Sequence, residues 1–173
     1  MKILHKNKFK RDAFTLVEVC VALVVTALFG LAAFATNSRL VLTLKSQKES
    51  TAATMELQER KESLRGTAFQ SIATASTLQA IFSQPTTSEG PLGSLSEDVK
   101  VSALTSPTNP TPSGTPTELL RNATYPNCQI VSNNTTLSSE KLLRVDIVLT
   151  WTSANGRTRI RQFSEVFTPP GNT

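Results

Sequence analysis

Few residues in this chain have the types and spacing that chemistry needs. Histidine occurs once, at His5 in the extreme N-terminal stretch. That excludes Ser–His–Asp and Cys–His nucleophile systems and most zinc sites, all of which need an imidazole. The two cysteines, Cys20 and Cys128, stand 108 positions apart and neither belongs to a Cys-x-x-Cys pair. No Gly-x-Gly-x-x-Gly or Walker-type loop is present to cradle phosphate. Carboxylates remain, but no paired set recommends itself. The sequence therefore reads as a non-enzyme with no catalytic residue, no metal ligand set and no cofactor. One carboxylate does stand out, because Glu18 lies inside an otherwise apolar stretch.

The element that positions Glu18 is a long apolar helix. Residues 19–35 read VCVALVVTALFGLAAFA without a charge, and counting back to Phe14 gives 22 residues. A helix of that length covers roughly 33 Å, enough to cross a hydrocarbon layer of about 30 Å. Lys2, Lys6, Lys8, Lys10 and Arg11 precede it, so the positive-inside rule keeps the N-terminus cytoplasmic and sends the C-terminus out. A central acidic residue in such a span costs about 2.5–3.5 kcal/mol, and less near the interface. Two readings of Glu18 follow: a headgroup-level residue favoured by the positive end of the helix dipole, or an intramembrane pairing site.

Charge is concentrated at the same end. The 173 residues hold 18 Lys and Arg against 13 Asp and Glu, a net charge of +5. Beyond Ala13 the balance is 13 basic against 12 acidic. The basic character thus belongs to the leader and gives no reason to expect a nucleic-acid partner. Arg157, Arg159 and Arg161 share one strand face, which reads as a solvated sheet face.

The helical pattern continues past the apolar run. No proline occurs before Pro85, and between Phe14 and Arg65 the only glycine is Gly30. Lys45–Glu49 and Glu56–Arg60 stand at i,i+4 spacing, and Arg60, Lys61 and Arg65 crowd the end before Gly66. One helix of about 52 residues, ~78 Å long, is expected, with residues 14–36 greasy all round and 37–66 amphipathic.

Residues 67–173 read as a small globular head. A weak helical period runs through Phe69, Ile72, Ala73, Ser76 and Ala80. Residues 83–117 contain six prolines and three glycines among many Ser and Thr, and are expected to form a loop without its own core. Leu143, Val145, Ile147, Leu149 and Trp151 alternate, and Asn155-Gly156 supplies a tight turn, so 142–168 reads as a β-hairpin. Pairing Ala154 with Arg157 would set Trp151 against Ile160 and require a bulge near Arg161 to bring Phe163 and Phe167 inward. Gln129 to Ser132 is a candidate third strand. The fold class is α+β, a long N-terminal helix packed on a small antiparallel sheet. Cys128 reads equally as a reactive thiol or a small buried hydrophobe.

The order of a basic leader (1–13), Ala13-Phe14-Thr15-Leu16-Val17-Glu18-Val19 and an apolar helix resembles the signal of type IV prepilins and type II secretion pseudopilins. The resemblance covers roughly residues 8–65. It implies cleavage by prepilin peptidase between Ala13 and Phe14, on the cytoplasmic side, and N-methylation of Phe14. It also makes Phe14, Thr15, Leu16 and Glu18 the recognition motif, with Glu18 guiding filament assembly. The usual residue before the cut is Gly, where this chain has Ala13. The implied partners are other pilin or pseudopilin subunits, the prepilin peptidase/methyltransferase and an inner-membrane assembly platform. The implied life cycle begins as a single-pass inner-membrane protein with a periplasmic head and ends in a pilus or pseudopilus. The mostly polar, proline-rich loop and the lack of a disulfide resemble minor rather than major subunits.

A rival reading uses Ala33-Phe34-Ala35, which fits the small-x-small pattern of ordinary signal peptidase and would release a soluble periplasmic domain from Thr36. The helical pattern runs straight through that point, and Glu18 has no purpose in a signal peptide.

Overall fold

The structure is a computed structural model that describes residues 15–86, 89–106 and 111–169. The chain divides into two compact units, Met1–Val41 and Leu42–Thr173. Helix α1, Leu16–Arg65, contributes to both.

In the first unit, α1 is apolar on every side and none of its described residues is buried. Three of its hydroxyls are satisfied by the helix's own backbone. Thr26 Oγ1 donates to the Ala22 carbonyl at 2.7 Å, Thr36 to Ala32 at 2.9 Å and Ser38 to Phe34 at 2.8 Å. A hydroxyl that returns to the preceding turn leaves no open polar group on an apolar helix. This stretch is long and apolar enough to cross a membrane.

In the second unit, α1 buries Glu49, Ala52, Ala53, Glu56, Leu57, Arg60 and Leu64, a stripe at three- and four-residue spacing. The short helices α2 (Phe69–Ile72) and α3 (Ala75–Phe82) follow. Five antiparallel strands then form one sheet: β1 (Ser96–Leu104), β2 (Pro112–Arg121), β3 (Gln129–Ser132), β4 (Leu143–Thr152) and β5 (Thr158–Phe167), in the order β3-β2-β1-β4-β5. A short 3-10 turn, Thr135–Ser139, lies between β3 and β4. The inner face supplies Val99, Val101, Leu119, Leu143, Val145, Ile147 and Leu149 to a core that also takes Leu57 and Leu64 from α1 and Leu78 and Phe82 from α3. The fold is α+β, one long N-terminal helix with a five-stranded antiparallel sheet.

Two expectations need correction. Residues 83–117 are not a loop throughout, because they contain β1, the central strand of the sheet, and the first part of β2. Glu97, Val99 and Val101 alternate with half-buried Ser96, Asp98 and Lys100, and Ser102 to Leu104 are all buried, which suits a strand paired on both sides. The prolines are accommodated at the margins. Pro112 opens β2, and Pro116 lies with Gly114 (φ +74°) where the β1–β2 register shifts.

The second correction is the hairpin register. Trp151 pairs with Arg159, Leu149 with Arg161 and Ile147 with Phe163, without a bulge at Arg161. The cause is loop length. Gly156 N–H donates to the Ser153 carbonyl at 2.8 Å and Ser153 N–H to the Arg157 carbonyl at 2.9 Å. The loop is therefore the three residues Ala154-Asn155-Gly156, with Gly156 left-handed at φ +76°. One extra loop residue brings Phe163 and Phe167 to the core face directly.

Candidate functional site

Ala13 and Phe14, the expected cleavage and methylation residues, lie outside the described residues. Thr15, Leu16 and Glu18 are described, and the structure brings Thr15 and Glu18 together. The backbone N–H of Thr15 donates to Glu18 Oε2 at 2.9 Å, and the Thr15 hydroxyl donates to the same oxygen at 3.0 Å. In return, Glu18 N–H donates to Thr15 Oγ1 at 3.3 Å. This is a reciprocal capping box, in which a threonine and a glutamate three residues on satisfy donors left open at a helix start. The Thr-x-x-Glu spacing was visible in the sequence as part of the processing motif, and its capping geometry is the additional finding. Leu16 is 81% exposed, and Leu23, Leu28, Phe29, Leu31 and Phe34 extend the uncovered apolar surface along α1. This is the stretch long and apolar enough to cross a membrane.

Sequence reasoning missed a second constellation, a buried ionic cluster in the Leu42–Thr173 unit. Arg60 Nε and Nη2 donate to Glu97 Oε1 and Oε2 at 3.0 and 3.1 Å. Its Nη1 donates to the Ile81 carbonyl at 3.0 Å, and its guanidinium lies 5.1 Å from the centre of the Phe82 ring. Arg121, opposite Glu97 across the β1–β2 pair, donates to Glu97 Oε2 at 3.0 Å and to Glu89. Glu56 stands 3.2 Å from Arg60 Nε and accepts from the Thr86 hydroxyl. Burial raises the Glu56 carboxyl to about 7; Arg60 and Arg121 pull it down, while Glu97 and Glu89 push it up. Three carboxylates against two guanidinium groups leave one negative charge too many, which a proton on Glu56 removes.

The cluster joins α1, the segment before β1, β1 and β2 at one point. Its carboxylates are turned to guanidinium groups, and no set of side chains suited to a metal ion occurs among the described residues. The sequence signal was the Glu56–Arg60 spacing alone, since Glu89, Glu97 and Arg121 arrive from distant positions.

Two other singled-out features are placed. Cys128 is buried, and burial pushes its thiol up to about 11, away from the thiolate that nucleophilic or redox chemistry requires. Arg159 and Arg161 lie on the helix-facing side of the sheet, in register with Trp151 and Leu149, not on its outer face. The outer face carries Lys100 with Asp98 and Glu118, and Arg144 with Asp146. No protein family, no curated protein and no solved structure matches this chain.

Proposed function

We propose that this chain is a minor pilin or pseudopilin, a structural subunit of a type IV pilus or type II secretion pseudopilus. On this reading it is cut between Ala13 and Phe14, methylated on Phe14 and held in the inner membrane by α1 until it enters the filament. The observation that carries the proposal is the pairing of an uncovered apolar helix with one acidic residue at its start. Glu18 is the sole charge between Thr15 and Arg39, and it is held in the first turn of α1 by Thr15. A helix greasy on all sides suits a bilayer first and a bundle of like helices afterwards, and a single carboxylate near its start can fix the axial register of neighbours. The basic leader and the Phe14-Thr15-Leu16-Val17-Glu18 run supply the processing signal.

Co-expression of the full chain with and without a prepilin peptidase tests the reading. A peptidase-dependent loss of the leader supports it. The same product with and without the peptidase contradicts it.

A further inference from the structure

The hairpin end of the sheet forms a groove against α1 in the Leu42–Thr173 unit. Leu42, Ser46 and Ser50 of α1, Trp151 of β4, and Arg159 and Arg161 of β5 line about 520 Å³. Trp151 is 3% exposed, and its Nε1 has no hydrogen-bond partner among the described residues. An indole N–H can only donate, and a buried donor left without an acceptor is uncommon in native folds. Arg159 is paired with no carboxylate among the described residues, and Arg161 donates to the Ser50 hydroxyl at 2.9 Å. Glu49 of the helix is already engaged, since it accepts from Ser153 Oγ at 2.5 Å and Ala154 N–H at 2.9 Å. The groove therefore offers two guanidinium forks as donors.

The geometry points to a binding site for a carboxylate-bearing segment of another polypeptide, with Arg159 and Arg161 receiving the carboxylate. Guanidinium is planar and matches carboxylate with two parallel hydrogen bonds. The lining favours an acidic peptide over a nucleic acid. Leu42 and the indole ring supply apolar contact beside the donors. Nucleic-acid binding draws instead on a broad basic surface, and beyond the leader this chain is close to neutral. The site goes beyond the filament reading and does not depend on it.

The test uses the full chain in micelles of an uncharged detergent, with acetylated hexaglutamate as the probe. Trp151 is the single tryptophan, so its emission reports on the groove. The expected result is a saturable change in emission that hexaglutamine does not produce. Arg159→Gln weakens the binding by about tenfold or more, as loss of a charge-assisted hydrogen bond implies. Arg157→Gln, which lies outside the groove lining, changes it by less than about twofold on the same scale. Arg159→Lys keeps the charge and the stem but loses the fork, so it falls between wild type and Arg159→Gln and gives a second measure should the Gln variant fold poorly. No saturable response, or equal affinity in Arg159→Gln, Arg159→Lys and wild type, overturns the inference. A response to an oligothymidylate but not to hexaglutamate also overturns it and gives the groove to nucleic acid.

Discussion

Arg60 on α1 and Glu97 on β1 are joined by two parallel hydrogen bonds, Nε to Oε1 at 3.0 Å and Nη2 to Oε2 at 3.1 Å, with both side chains almost wholly buried. The pair ties the long helix to the central strand of the sheet. Removing one partner of a buried pair leaves the other charge without compensation, which costs far more than the pair itself contributes.

Arg60→Leu leaves three carboxylates, Glu56, Glu89 and Glu97, with Arg121 as the one cation near them among the described residues. It is expected to destabilise the Leu42–Thr173 unit by about 3–5 kcal/mol. Urea unfolding of the full chain in detergent micelles, followed by Trp151 emission, measures it. A loss below about 1 kcal/mol, the scale of an exposed ion pair, would contradict the clamp.

Glu56 makes the same unit pH-dependent. Its folded carboxyl sits at about 7 against an ordinary 4.5, so between those values the folded state holds a proton that the unfolded chain has lost. Stability therefore falls as pH rises through this window, by up to about 3 kcal/mol. Below it, both states are protonated and the penalty is absent. Asp98, also raised by burial, adds to the same direction. Glu56→Gln can still accept from Thr86 but cannot ionise, so its unfolding midpoint changes less than wild type between pH 5 and pH 8, by about the Glu56 contribution. Parallel pH profiles for the two proteins contradict the assignment.

The visible part of this architecture was set by local pattern. An unbroken run without proline and with one glycine made the long helix legible, and alternation from Leu143 to Trp151 made β4 legible. Residues 96–104 were hidden because proline-rich neighbours at 107–116 dominated the composition of the whole stretch, although Val99, Val101 and Ala103 carried the strand period within it. The hairpin turn was legible in Asn155-Gly156, but its length was not, and one residue decided which face Arg159 and Arg161 occupy. The ionic cluster was illegible beyond Glu56–Arg60, because a helical i,i+4 pair looks alike whether solvent or a sheet covers it. At the N-terminus, residue types named the motif, and the structure added the reciprocal Thr15–Glu18 cap.

That cap allows helix capping by Glu18 to be separated from the assembly role proposed for it. Glu18→Gln keeps a side chain that can complete a capping box but removes the charge. It is expected to be inserted and cut normally yet to be depleted from sheared filaments, as is Glu18→Ala. Thr15→Ala removes the cap partner, at about 1 kcal/mol, and keeps the charge, so its filament abundance should stay near wild type. The measurement is processed mass in the membrane fraction beside subunit abundance in the sheared fraction. Wild-type recovery of Glu18→Gln with loss of Thr15→Ala would reverse the assignment and make capping the whole role.

Processing should depend on the size of the residue before Phe14. Ala13→Gly is expected to be cut at least as well as wild type, whereas a bulky Ala13→Leu leaves the precursor uncut and about 1.5 kDa heavier, at roughly 110 Da for each leader residue. Mass spectrometry of the two variants decides. Normal maturation of the Leu variant would move the cleavage site elsewhere.

The central claim is that this chain is processed as a pilin-like subunit, and the N-terminus of the mature protein tests it most directly. The protein is isolated from membranes and from the sheared surface fraction of cells that carry an assembly system, and its first residue is read by mass spectrometry. The account predicts an N-methylated Phe14 in both fractions. A mature chain that begins at Thr36 would instead mark a secreted domain released by ordinary signal peptidase, and an intact Met1 would mark a simple membrane anchor; either result contradicts the account.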